Sequence, residues 1–164
     1  MLPIINNKSL LDCTEDDLQI IIGDPAYRES RYIEYKEMYE PALYDNTKKQ
    51  KRDDAKTEFR NDVCTFANAE GGYLILGVKE KKGIAQEITG IQIDDVDNFL
   101  LELKNCLQVI MPRMPNYQCN SIKLQSGKTV FVLFIQHDFF APYIQLENEK
   151  NYRIYKRINN SKAV

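Results

Sequence analysis

A chain of 164 residues with 43% hydrophobic and 28% charged residues can bury a core of its own, which excludes a disordered tail as the description of the whole. Its net charge of −2 and pI near 5.5 exclude a protein that binds nucleic acid with its entire surface and leave that role to local basic patches. No stretch is long and apolar enough to span a membrane and the opening MLPIINNKSL is not leader-like, so a cytoplasmic protein with no membrane partner is expected.

In chain order, Thr14 is a helix N-cap with Asp17 at the capping-box position, predicting a short helix that stops at Gly23 before the break at Asp24-Pro25. Glu29 and Glu34 follow, separated by an odd spacing that places them on opposite faces of an ideal strand. Two readings stay open for them. They are surface charges pairing with Arg31 and Lys36, or a turn or bulge brings them together and, with a third acid, they hold a divalent cation through oxygen ligands.

After the polar stretch that begins at Glu40-Pro41, Ala55, Phe59, Val63, Phe66 and Ala67 recur at helical spacing and predict an amphipathic helix over about 47–69. Lys48, Arg52, Lys56 and Arg60 are spaced four apart and share one stripe of that helix, either a row for phosphate contact or a solvated face balanced by Asp53, Asp54 and Glu58. Gly71-Gly72 ends the helix in a tight reversal, and Asn68 is placed to bond backbone groups of that turn. Tyr73 to Val78 is then a short apolar run that suits a strand covered on both faces.

Lys79, Lys81 and Lys82 surround a turn at Gly83 and form a second basic cluster. Residues 94–110 place Phe99, Leu103, Cys106, Leu107 and Ile110 on one helical face, and Pro112 and Pro115 end that helix. Tyr117–Leu124 and Thr129–Gln136 read as a hairpin whose second strand is central. Gly127-Lys128-Thr129 between them is no phosphate loop, because Ile122 stands where that motif has its first glycine and no helix follows. A third basic cluster, Arg153, Lys156, Arg157 and Lys162, is interleaved with Tyr152 and Tyr155, a pattern that suits phosphate contact with base stacking and equally suits a plain strand. Cys13, Cys64, Cys106 and Cys119 show no paired spacing and read as reduced thiols, and His137, the single histidine, reads as a turn residue. The element order predicts an α+β domain, a mixed β-sheet with helices packed over it.

The string Thr65-Phe66-Ala67-Asn68-Ala69-Glu70-Gly71-Gly72-Tyr73-Leu74-Ile75-Leu76-Gly77-Val78 resembles a signature of the AlbA-like domain of Schlafen proteins and many bacterial regulators. Glu29-Ser30 with Glu34-Tyr35-Lys36 resembles that family's opening strand, and Pro142-Tyr143 followed by Tyr152-Arg153-Ile154-Tyr155 resembles its closing strands. The resemblance implies the same α+β fold, with residues 1–28 as a helical lead-in and 29–164 as the AlbA-like domain of a chain that in similar proteins continues into a partner domain. It implies a nucleic-acid-binding module, DNA-binding and of the transcription-regulator kind, for which the three basic clusters offer Lys48, Arg52, Lys56, Arg60, Lys79, Lys81, Lys82, Arg153, Lys156 and Arg157 as contacts. In Schlafen nucleases two acids of the opening strand and one just after the central Gly-Val act together. Glu29, Glu34 and Glu80 match those positions, with Mg²⁺ or Mn²⁺ as the cofactor of an endoribonuclease; as a binding module the chain needs none. Lys79 departs from that pattern, where relatives often carry two aspartates. A protein-interaction or oligomerisation domain, forming a homodimer or docking a C-terminal partner, is the third reading.

Overall fold

Alternation along two apolar strands builds the centre of the molecule and divides its core in two. The computed structural model describes residues 4–39, 49–140, 142–148, 151–158 and 161–163. At its amino end β1 (Ile4–Ile5) pairs with β2 (Lys8–Ser9), and a 3-10 turn leads to α1 (Glu15–Gln19). The edge strand β3 (Ile33–Lys36) precedes the long helix α2 (Lys49–Ala67) and the buried strand β4 (Gly72–Leu76). A hairpin of β5 (Val78–Lys81) and β6 (Ile84–Ile88) and the helix α3 (Val96–Leu107) come next. Then follow β7 (Tyr117–Lys123), β8 (Thr129–Ile135) and two small hairpins, β9 (Gln145–Asn148) with β10 (Asn151–Arg153) and β11 (Lys156–Ile158) with β12 (Ser161–Ala163).

The central sheet has four strands in the order β3-β4-β8-β7, with β3 parallel to β4 and the other pairs antiparallel. Successive side chains of a strand point to opposite faces. Leu74 and Leu76 with Phe131, Leu133 and Ile135 therefore meet Phe59, Val63 and Phe66 of α2 and Phe99, Leu103 and Leu107 of α3. Tyr73 and Ile75 with Val130 and Val132 face the other way, onto Ile33, Tyr35, Ile5, Leu10, Leu18, Ile21 and the hairpin residues Val78 and Ala85. Both faces being covered, the near-continuous apolar runs of β4 and β8 are explained, and the expected α+β architecture is the one observed.

Three features differ from what the chain suggests by itself. Residues 4–28 are a small ladder, turns and one short helix, and their buried Ile5, Leu10, Leu18 and Ile21 complete the core on one side of the sheet. The carboxylate of Asp17 ties this segment together, accepting from Lys8 Nζ at 2.8 Å, from the Thr14 amide at 2.9 Å and from Asn6 Nδ2 at 2.9 Å, and these partners, Lys8 first, hold its pKa well below the usual carboxylate range. Strand β4 does not continue straight into the next strand. Gly77, at φ +94°, turns the chain so that β5 folds back over β3, and a Cβ there would stand 3.0 Å from the Cα of Gly90. Asn68 does not serve the turn beside it. Its amide donates to the carbonyls of Tyr143 at 2.9 Å and Tyr155 at 2.8 Å, and its oxygen accepts from the Tyr143 amide at 2.6 Å, clipping the closing segment to the end of α2.

Cys13, Cys64 and Cys106 are buried and Cys119 is partly so, all four as free thiols, and burial pushes the Cys64 and Cys119 thiols up to about 12. Gly127-Lys128 forms the tight turn between β7 and β8, with the Leu124 amide donating to the Lys128 carbonyl at 2.8 Å. Among the described residues no helix is long and apolar enough to cross a membrane.

Candidate nucleic-acid interface

Strand β3 uses its two acids for different ends. The Tyr32 and Lys36 carbonyls accept from Tyr73 and Gly77, so the even-numbered residues carry the ladder to β4 and the odd-numbered ones face outward. Glu29 covers that outer edge, its Oε1 accepting from the Tyr35 amide at 3.1 Å. Its own amide donates to the Gly83 carbonyl at 2.7 Å, at the tip of the β5–β6 hairpin. Glu80 reaches the same turn, where its Oε2 accepts from the Gly83 amide at 2.6 Å. Glu34 points from the opposite face, toward α2. There Lys36 Nζ lies 2.7 Å from Glu58, 3.9 Å from Glu34 and 3.9 Å from the buried Asp62, whose carboxylate also accepts from Tyr39 Oη at 2.6 Å. Burial opposes the charge on Lys36, but Asp62, Glu58 and Glu34 outweigh it and raise the pKa.

The three acids that match the nuclease positions are thus divided: Glu29 and Glu80 meet at Gly83, while Glu34 belongs to a separate cluster in which Lys36 stands among Glu34, Glu58 and Asp62. Among the described residues no three His, Cys, Asp or Glu side chains are grouped to hold a metal ion. As arranged, these carboxylates do not fit a divalent cation, and no chemical step is drawn through one.

The basic stripe of α2 is also placed differently from a phosphate-facing row. Lys56 sits against α3, its Nζ 4.0 Å from Glu102, with its side chain 23% exposed. Arg60 is partly buried, donates to Thr57 Oγ1 at 2.9 Å, and has its pKa lowered by burial. Lys48 and the side chain of Arg52 lie outside the described residues, as do the side chains of Tyr152, Arg157 and Lys162. Arg153 and Lys156 are exposed, and Tyr155 is buried at 7% exposure, which withdraws its ring from stacking.

The hairpin is where cations stand clear. Lys82 at φ +55° and Gly83 at φ +76° form a two-residue turn with both central residues left-handed, the geometry that suits the right-handed twist of paired strands. Lys79, Lys81 and Lys82 are exposed, and among the described residues none of them is ion-paired. Lys79 is registered opposite Glu87 and Lys81 faces Ile84, while the carboxylates of Glu80 and Glu29 also reach the turn, so the cations there stand among acids and not alone. A Cβ on Gly83 would lie 3.5 Å from the Arg28 side chain, which adds an exposed guanidinium beside the turn.

The profile of the family described as Schlafen, AlbA_2 matches residues 29–164. The chain belongs to that family. Among solved structures, this Schlafen AlbA_2 domain is similar to the DIP2311 protein from Corynebacterium diphtheriae, at 20% identity and a TM-score of 0.50, over 81% of this chain and 22% of that one. It is also similar to the N-terminal domain of a RecG-related protein from Nitrosomonas europaea, at 22% identity and a TM-score of 0.45, over 74% of this chain and 69% of that one. No curated protein matches it. At such identity the first likeness bears on the fold alone.

Residues 137–140 carry no signal of function in the sequence, yet among the described residues they form the most exposed aromatic group. Phe139 is 90% exposed and Phe140 82%. The only hint in the chain is a pair of aromatics set between the turn-forming Asp138 and Pro142, outside the alternation of β8.

Proposed function

We propose that this Schlafen AlbA_2 domain binds nucleic acid, with the tip of the β5–β6 hairpin as its electrostatic anchor and DNA regulation, within a longer or dimeric protein, as its setting. The observation that carries the reading is the set of exposed lysines at 79, 81 and 82, beside Arg28, on an otherwise slightly acidic chain. Such cations contact phosphates without reading bases, so binding is expected to weaken steeply with salt. Fluorescence anisotropy of labelled single- and double-stranded oligonucleotides over a salt series tests this. A linear fall of log affinity with log salt is expected, and absence of binding to every oligonucleotide at 50 mM salt, about a Debye length of 14 Å or less, would overturn it. Sedimentation of the same samples would identify the protein-interaction alternative as self-association without nucleic-acid affinity.

A further inference from the structure

We propose that the loop after β8 is a stacking platform for unpaired bases, so that the ligand is single-stranded nucleic acid crossing one end of the central sheet. The inference rests on the nucleic-acid reading above and names the class of ligand.

A domain with a well-covered core has no structural reason to leave two adjacent phenylalanines 90% and 82% exposed. Nor is the loop that shows them loosely held. Asp138 accepts from the Phe140 amide at 2.8 Å, from Arg113 Nη2 at 2.5 Å and from the Tyr143 hydroxyl. Those partners, Tyr143 first, lower its pKa to about 2, so the carboxylate that holds them is ionised throughout the neutral range. The His137 ring stands edge-on to Phe139 with centroids 4.7 Å apart, and the Arg113 guanidinium lies 6.0 Å from the Phe140 ring centre and 5.3 Å from that of Tyr143. Aromatic faces fixed from behind and open in front suit bases, each of which has a π-face to offer.

Topology sets this platform at the end of the sheet where β3 and β4 begin, with the basic hairpin beside the outer edge of β3. Ile135, the last residue of β8, pairs with Gly72 at the start of β4, and Ile33 at the start of β3 pairs with Tyr73. A Cβ on Gly71 would lie 2.9 Å from the His137 amide nitrogen, which shows how closely the loop adjoins the turn after α2. At that end stands Arg31, exposed and bound to Glu70 at 2.9 Å, while the chain before it doubles back at Ser30 and Ile33, bringing Glu29 to Tyr35 and Arg28 to the hairpin tip. Strands about 4.8 Å apart make this end roughly 15 Å across, room for on the order of two to four nucleotides. Cations at one side and stacking faces at the other are what a single strand offers partners for, with backbone and bases both accessible. A duplex presents only its phosphates to such a surface. A second copy of this chain, the competing occupant of an apolar patch, has less to gain next to like-charged hairpins.

The test uses the double variants F139A/F140A and F139Y/F140Y with single-stranded oligonucleotides containing 2-aminopurine, and with a duplex of the same sequence. The unsubstituted chain is expected to bind the single strand at least tenfold more tightly than the duplex and to change the 2-aminopurine emission. F139A/F140A should lose at least tenfold in single-strand affinity with the salt slope and duplex affinity unchanged, and F139Y/F140Y should retain stacking. If duplex and single strand bind alike, or if F139A/F140A binds as before, the platform is refuted while the nucleic-acid reading stands; no binding by the unsubstituted chain refutes both. Self-association lost in F139A/F140A, with oligonucleotide affinity unchanged, would make the loop a protein interface and likewise overturn the proposal.

Discussion

Replacing Asn68 by alanine removes the clip between α2 and the closing strands, and the structure gives the cost. Three hydrogen bonds are lost at once, to the amide and carbonyl of Tyr143 and to the carbonyl of Tyr155, and both tyrosines are buried, at 1% and 7% exposure. At a net 0.5–1.5 kcal/mol for each bond the loss is about 2–4 kcal/mol. For a domain of this size that is a fall in Tm of roughly 5–15 °C. Asn68→Asp sharpens the argument, because it keeps an acceptor for the Tyr143 amide but turns a carboxylate on two carbonyls. It should destabilise at least as much as alanine at neutral pH, and less as acid restores a proton that one carbonyl can accept. Urea unfolding followed by circular dichroism measures both variants. A loss under about 0.5 kcal/mol for Asn68→Ala would refute the clip, since three buried groups cannot lose their partners at so little cost.

Neutralising the hairpin tip with Lys81→Gln and Lys82→Gln should lower the salt slope of nucleic-acid binding by about 1.5, or roughly a tenfold loss of the low-salt advantage between 50 and 200 mM; an unchanged slope in anisotropy titrations would place the phosphates elsewhere. The opposite change, Lys56→Glu with Arg60→Glu, is expected to act through stability and not through that slope, because Lys56 lies against Glu102 of α3 and Arg60 is partly buried and bound to Thr57, which thermal melts and titrations run together will separate. Asp17 has a depressed folded-state pKa, so its stabilisation is present above its unfolded value near pH 4 and is lost as pH falls through the lower folded value. The stability gap between Asp17→Asn and the parent, from urea midpoints, should therefore be widest above about pH 4 and close toward pH 2; a constant gap would refute the linkage. Incubation of transfer RNA with Mg²⁺ or Mn²⁺ is expected to leave it intact, and cation-dependent cleavage abolished by Glu34→Ala would show that the ion cluster at Lys36 opens to form the site the resemblance implies.

Periodicity made the two long helices and the two central strands legible. Phe59, Val63 and Phe66 mark the buried face of α2 and Phe99, Leu103 and Leu107 that of α3, while β4 and β8 are apolar throughout because both faces of the sheet are covered. The β5–β6 hairpin was illegible as strands, since Lys79-Glu80-Lys81 has no apolar alternation and only Val78 and Ala85 are buried. The turn at Gly83 was visible, but not that Gly77 would swing the hairpin over β3. Spacing placed Lys56 and Arg60 correctly on one stripe of α2. It could not say that Glu102, far along the chain, would lie against that stripe. Such contacts are set by the packing of whole helices, for which a linear pattern carries no address.

The fate of the acidic residues follows from the same division of faces. A strand that is ladder-bonded on one side exposes alternate amides on the other, and Glu29 meets that need at Tyr35 while anchoring the hairpin through Gly83. Two positions beyond Glu34, Lys36 points to the same face and toward Glu58 and Asp62 of α2, so Glu34 shares one ammonium with two further carboxylates. Substituting either acid therefore perturbs folding as well as any chemistry, and alanine variants alone cannot separate the two. Glu29→Gln retains an oxygen for the Tyr35 amide and removes only the charge. A binding or cleavage change in that variant, with the melting transition unmoved, would be electrostatic in origin, whereas a change seen only in Glu29→Ala would belong to the edge of the sheet.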